Sequence, residues 1–361
     1  MKTRGRHDWN RPPDKNPHPD AEGVFACVSL LIVCAIHRDS LIAMDPANWA
    51  SVSAWFLLIV GIFIANRLGG RFESMLERLH KRNAIDASQD QFDRLLAQTR
   101  KRARTAATVG SLVLPMFLLA SYIGVYAGEQ WQATPRADRM WFIGEVILEV
   151  IAARLVGRYA GRGIAYGLFG RQLVKERIKL TLIPGHSDAA AGLRPIGDYY
   201  FYQATITALP VLFFAFWVLA MPNWTKIWPA SDSDFESQWK NTYLIFFLVT
   251  IGIELLTFAL PLWFFHQQMS LQKKQMQSRV DELSARLYRL QQSSRDSNQP
   301  PDDGADRASL IDQIASLENL PTWPLAPDVR QRFAWGNLAF LASPALQMSQ
   351  TVLDAVKAAV T

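Results

Sequence analysis

At 361 residues the chain is long enough for two or three soluble domains or for one bundle of membrane helices. Half of its residues are hydrophobic and 19% are charged; the apolar ones lie in long runs with the charges between them, as expected for a chain that meets both lipid and water. The net charge of +6 does not point to nucleic acid, because Lys and Arg cluster at the ends of the apolar runs, where a basic surface attracts anionic lipid without reading bases.

Residues 1–22 are polar and Pro-rich, carry Lys2, Arg4, Arg6, Arg11 and Lys15, and read as a disordered cytoplasmic tail. Residues 23–36 are apolar but short of the roughly 20 residues that a span needs. A signal peptide would have this length, yet Ile36 stands where a cleavage site requires a small residue. Tilt and local thinning of the bilayer accommodate a short helix, so this stretch reads as a retained first span. Cys27 and Cys34 lie seven apart on one face of it and cannot pair with each other. Residues 49–65 form a clearer second span, which completes a unit at 23–66.

Residues 67–104 read as a cytoplasmic helical hairpin. Phe72, Met75, Leu76 and Leu79, then Phe92, Leu95 and Leu96, recur at helical spacing on either side of a break near Asp86 to Asp90. The unit at 105–158 holds a third span, residues 105–127 with Pro115 inside it, and a fourth, residues 140–156, which carries Glu145 and Glu149 with Arg154 near its end. The unit at 159–198 is Gly- and Arg-rich. The Gly-Arg steps from Gly157-Arg158 onward suggest a helix ending at the membrane surface. Residues 199–221 and 243–265, within 199–266, are the fifth and sixth spans; Pro210, Glu254 and Pro261 interrupt them.

Beyond His266, residues 267–295 form a charged amphipathic helix. Met276, Val280, Leu283, Leu287 and Leu290 step by four and three along an a/d seam that is too short for an isolated coiled coil. Such a seam pairs with the Leu79 or Leu95 helices or with a second copy, giving a homo-oligomer through 276–290. Residues 296–361 comprise a linker, a short amphipathic helix with Leu310, Ile314 and Leu317, and a tail that docks on the membrane or the bundle. In that tail Trp323 lies among Pro321, Pro324 and Pro327 as a packing anchor.

The fold class is therefore all-α, a polytopic transmembrane helical bundle of about six spans with cytoplasmic helical extensions. Trp49, Trp131, Trp141, Trp224, Trp228 and Trp239 flank the runs at headgroup level. Loops 67–104 and 154–179 are dense in Arg and Lys, whereas residues 223–239 hold Asp232, Asp234 and Glu236 against Lys226. The positive-inside rule then places both termini in the cytoplasm and the chain in a bacterial plasma (inner) membrane.

Two groups of residues carry possible chemistry. His186, Asp188, Arg194 and Asp198 stand just before the fifth span, with Gly185, Gly192 and Gly197 among them. Imidazole and carboxylate suit a metal or proton site. Equally, Asp188 would cap a helix start and the glycines would form tight turns. Glu145, Glu149 and Glu254 lie in apolar sequence, where an unpaired charge costs about 2.5 kcal/mol or more, and they imply either an ion pathway or a polar clasp between helices, with Arg154 as a partner. No phosphate-binding loop, dinucleotide fingerprint, zinc-protease motif or nucleophile elbow occurs, so no catalytic residue and no cofactor is assigned.

Three elements, GRGIAYGLFGR at 161–171, PGHSDAAAGLRPIGDYYFYQ at 184–203 and LENLPTWPLAPDVRQRF at 317–333, together resemble an uncharacterised family of bacterial multi-pass membrane proteins. That family pattern reads PGHPDGAGGL before a membrane helix, followed later by a WP-containing tail. Ser187 stands where the pattern favours Pro, and Ala191 where it favours Gly; His186, Asp188 and Gly192 match. The resemblance implies membrane topology and no activity. The sequence alone thus supports three functions: a sensor or scaffold acting through its cytoplasmic helices, a transporter or channel using the glutamates, or a membrane enzyme at His186 and Asp188.

Overall fold

A computed structural model describes residues 19–126, 136–227, 235–296 and 304–325. The expected N-terminal tail falls largely outside these residues, but residues 19–22 already belong to the first helix, so the boundary at 22 is too late. Trp131, Trp228 and the apolar stretch 333–348 also lie outside the described residues.

Helix α1 (Pro19–Ile36) is followed by the short α2 (Arg38–Ile42) and by α3 (Pro46–Ala65). Asp45 caps α3 by accepting the Ala47 amide, and Pro46 takes the first helical position, where no N–H is missed. Ala26 of α1 packs with Ile62 and Ala65 near the end of α3, so the two helices run antiparallel. Helix α4 (Leu68–Lys81) buries Phe72, Met75, Leu76 and Leu79, the expected stripe. After it, Ile85 pairs antiparallel with Leu180 in a bridge of two short strands, β1 (Ile85–Asp86) and β2 (Lys179–Leu180), the one departure from helices and loops among the described residues.

Helix α5 (Gln89–Tyr126) joins the second arm of the predicted hairpin to the third span without a break. Helix α6 (Arg136–Gly167) returns along it, and here the structure corrects the sequence reading. The helix runs through the steps at Gly157-Arg158 and Gly161-Arg162 and ends at Gly167, before Gly170-Arg171. Gly157 and Gly161 instead face Ala106 and Gly110 of α5 so closely that a Cβ on any of the three glycines would overlap a backbone carbonyl of the other helix. Small residues four apart on both helices let the backbones meet, the packing that lipid-embedded helices use in place of a hydrophobic driving force. The arginines between the glycines then point elsewhere.

The short α7 (Phe169–Lys175) precedes β2, and α8 (Arg194–Ile227) follows the loop after it. Helix α9 (Phe235–Glu254) continues through a π-helical segment (Leu255–Ala259) into α10 (Leu260–Asp296). Pro261 follows that segment and has no N–H to return to the preceding turn. The Leu256 carbonyl lies against Gly167 of α6, where a Cβ would intrude. Last described is α11 (Gly304–Glu318).

Among the described residues four helical stretches are long and apolar enough to cross a membrane: Pro46–Lys81, Gln89–Gly124, Arg194–Met221 and Trp239–Gln292. They correspond to the expected second, third, fifth and sixth spans. Ala21–Ile36 is a shorter apolar helix. Helix α6 has the length at 32 residues, but its Glu and Arg residues break up its apolar stretch.

The largest core lies at the basic end of the bundle. There α4, the first turns of α5, α7 and the start of α8 close around Phe72, Leu95, Phe169, Leu193 and Tyr200, with Phe265 and Met269 of α10. The a/d seam finds a different neighbour from either helix expected: Val280 is buried where α10 packs along α11, and Leu310 of α11 is buried too. Lys273 of α10 donates to the carbonyls of Glu318 and Leu320, which closes the C-terminus of α11.

The glycine contact gives a direct prediction. Gly161→Val forces α5 and α6 apart and is expected to cost at least about 1–3 kcal/mol, whereas Gly144→Ala, whose Cβ meets nothing within 4 Å, is expected to be neutral or slightly stabilising. Thermal unfolding of the two variants in the same detergent checks this.

Candidate functional site

The loop between β2 and α8 is built around Asp188. Its Oδ1 accepts the amides of Ala190 and Gly192, each at 3.0 Å, and its Oδ2 accepts Arg82 Nη1 at 3.1 Å. The same Arg82 nitrogen reaches the Gly192 carbonyl at 3.3 Å, so the end of α4 and the loop are held through one guanidinium. His186 stands beside the carboxylate, Nδ1 to Oδ1 at 3.0 Å. Burial alone would raise the Asp188 carboxyl; the two amides and the neighbouring His186 outweigh it and hold the group below the usual aspartate value.

The loop turns through left-handed residues at Gly185, Ala189, Ala191 and Gly192. At Ala191, φ is +51°, a conformation in which a Cβ is penalised and glycine is not. Asp188 thus bonds the loop's own backbone, and the Arg194 amide at the first residue of α8, where a helix cap was expected, also favours its ionised form.

Arg194 and Asp198 form only an exposed pair one turn apart at the start of α8, 3.8 Å between nitrogen and oxygen, and contribute little. Among the described residues no three His, Cys, Asp or Glu side chains gather as a metal site. His186 and Asp188 come together, then, while Arg194 and Asp198 stand aside from them.

Across the loop, the segment 319–325 lies over the base of α10. The Trp323 ring stacks on His266 with centroids 4.2 Å apart, and His266 Nδ1 meets the Thr322 carbonyl at 2.7 Å. Gly197 of α8 leaves space for the Pro324 carbonyl. Trp323 thus fills the anchoring role that its proline-flanked position suggests.

The three glutamates do not form one cluster. Glu145 is hydrogen-bonded to His37, in the turn after α1, and Glu149 to the Tyr122 hydroxyl of α5. Tyr122 also packs edge-on against Trp239 at the start of the sixth apolar run, so this pair belongs to the end of the bundle opposite the basic core. Glu254 lies 15 residues beyond Trp239, roughly 22 Å along its helix. It borders the π-helical segment, and no side chain among the described residues partners its carboxylate. Arg154 is exposed and partners neither Glu145 nor Glu149; a step of five residues from Glu149 turns it about 140° round the helix.

A polar knot that the sequence did not reveal joins three helices at the basic end. Glu22 of α1 receives Arg158 and the Tyr159 hydroxyl of α6, and the same hydroxyl reaches Asn66 at the end of α3. The available signal was an acid just before the first apolar run and an Arg-Tyr pair inside the Gly-Arg series. Nothing in the linear sequence says that they meet.

No family model, curated protein or solved structure matches the chain.

Removing the Asp188 carboxylate is expected to loosen the loop. Asp188→Ala should cost about 1–3 kcal/mol at neutral pH, the penalty for leaving buried donors without an acceptor. Because the folded-state pKa is depressed, this contribution is present above the unfolded aspartate value and is lost as pH falls through the lower folded one. Melting of the wild type and the variant should therefore converge on acidification. A gap that stays constant into strong acid would contradict the assignment.

Proposed function

We propose that the chain is a multi-pass membrane scaffold or sensor whose helical layer at the basic end binds a partner protein or a second copy. The observation that carries this reading is where the packing lies. The largest core is built from α4, α7, the start of α8 and the base of α10, at one end of the apolar stretches, and it reaches into two of them through Tyr200, Ala204, Phe258 and Leu262. A transport protein concentrates its polar machinery near the bilayer midplane; this chain concentrates its order in a platform beside it. From that platform α10 extends to Asp296, and past Val280 its seam residues Leu283, Leu287 and Leu290 are only half covered, with Tyr288 and Ile311 65% and 47% exposed nearby. A second helix pair would cover this strip.

The same reading takes six crossings. Helix α6 follows α5 from Ala106 and Gly161 at one end to Tyr122 and Phe142 at the other, roughly 24 Å of α5, so whatever slab α5 crosses α6 crosses too. Helix α1 lies antiparallel to α3 and makes up its length by tilt. With the Arg- and Lys-rich layer in the cytoplasm, both termini fall there, in a bacterial inner membrane, and anionic lipid lies against the basic loops. The resemblance to the uncharacterised multi-pass family agrees with this topology.

One observation favours a second reading, an ion or proton pathway. Glu254 has no partner among the described residues, and it adjoins a π-helical segment, a feature frequent at functional sites.

The scaffold reading is tested by size and partner retention of the full-length protein in native nanodiscs. Leu283→Glu with Leu287→Glu is expected to abolish self-association or partner retention while leaving the melting of the membrane bundle nearly unchanged; a strictly monomeric, partner-free wild type would end the proposal. For the second reading, Glu254→Gln is expected to reduce ion flux in proteoliposomes at least tenfold, and unchanged flux would remove it.

A further inference from the structure

Beside the glycine contact of α5 and α6 lies a cavity of about 940 Å³ that none of the roles above uses. Helix α5 forms one wall and α9 the other, through Val249 and Ile253; α6 is the floor, where Gly157, Ala160 and Gly161 leave the backbone nearly bare. Because Gly157 and Gly161 carry no side chains, the floor lies deep against α5, and the flanking side chains of α5 and α9 stand up as walls.

The cavity is amphipathic from end to end. Lys101, Arg102 and Gln98 line the end next to the basic layer, and Val109, Val113 and Phe117 line the rest of the α5 wall. Gln98 is held from behind by the buried Gln172, which also receives the Thr99 hydroxyl at 3.0 Å. Lys101 and Arg102 are exposed and have no carboxylate partner among the described residues, whereas their neighbour Arg100 is paired with Glu73 at 2.6 Å. At the far end Phe117 meets Phe246 of α9 edge-on with centroids 4.9 Å apart, which closes the groove.

The length of the groove is informative. From Thr105, where the apolar stretch begins, to Phe117 is 12 residues, roughly 18 Å of helix. One leaflet of hydrocarbon is about 15 Å, half of the bilayer core. A groove that starts at two unpaired cations and ends after one leaflet has the dimensions of a single lipid.

We propose that this groove is a binding site for one anionic phospholipid of the cytoplasmic-side leaflet, its phosphate held by Lys101 and Arg102 and its acyl chains lying along Val109, Val113 and Phe117 over the bare floor of α6. The charge complementarity commits the site to an anionic headgroup, and the apolar walls open to the surrounding hydrocarbon exclude a free phosphate. A lipid lodged here touches α5, α6 and α9 together and completes a surface that the glycine contact leaves unfilled. The choice of leaflet rests on the orientation proposed above; the groove and its occupant require no protein partner.

The test uses the full-length protein in nanodiscs of phosphatidylcholine with a minor fraction of phosphatidylglycerol, and counts lipids retained on release by native mass spectrometry. Wild type is expected to retain phosphatidylglycerol in preference to phosphatidylcholine. Lys101→Gln with Arg102→Gln is expected to lower that preference about tenfold or more. Val113→Trp, at an exposed position that fills the groove without altering charge, is expected to lower it comparably. Lys274→Gln with Arg279→Gln, which removes two exposed charges on α10 away from the groove, is expected to leave it unchanged. Equal loss in the α10 control would show general surface attraction and overturn the site. Retention in Val113→Trp would place the lipid outside the groove, and a change of oligomeric state in that variant would show a second copy there; either result overturns the proposal.

Discussion

The centre of this molecule depends on two helices meeting where neither carries more than a methyl group. In hydrocarbon there is no water to expel, so helices gain by close packing of backbones and by polar contacts rather than by burying oil. Gly157 and Gly161 against Ala106 and Gly110 supply the first of these. Once α5 and α6 are in contact there, the rest of their length is constrained: Glu149 reaches Tyr122 toward one end, and Arg158 and Tyr159 reach Glu22 and Asn66 toward the other. The short first helix, with little apolar length of its own, is tied to the bundle through that second group.

The same contact shapes the two solvent environments differently. Within the apolar slab, packing is carried by small local clusters such as Trp217 with Ala50 and Met221, and by indole hydrogen bonds that fix the opposite end, Trp217 to Ser53 at 3.1 Å and Trp224 to the Met44 carbonyl at 2.8 Å. At the basic end, where water is available, the chain builds an ordinary hydrophobic core and closes it with the Asp188 loop and the Trp323 segment. Tyr200 joins the two regions, buried in the core and donating its hydroxyl to the Tyr166 carbonyl of α6 at 2.9 Å.

Asp188 has a clear architectural part in the loop that carries it. A carboxylate that accepts two backbone amides and a guanidinium has most of its lone-pair directions occupied and is anchored on three sides. The loop it organises holds Ala189 and Ala191 at positive φ, so part of that bonding offsets backbone strain. Glu145 and Glu149 follow a similar logic inside the bundle, each matched to one polar partner. Among the described residues Glu254 has no such match.

The sequence by itself determined the elements and their solvent. Long apolar runs between charged segments permit only helices that satisfy their own amides, and the stripe Phe72, Met75, Leu76 and Leu79 is buried as its period requires. It also marked Trp323 as an anchor and the 184–193 loop as special. What only the tertiary structure decided was who meets whom. Nothing in the linear order pairs Arg82 with Asp188, Glu22 with Arg158 or His37 with Glu145, residues more than a hundred positions apart. The Gly-Arg series shows why. A glycine reads as a helix end when it is considered alone, because its freedom costs entropy there; it becomes a packing surface only once another backbone lies against it.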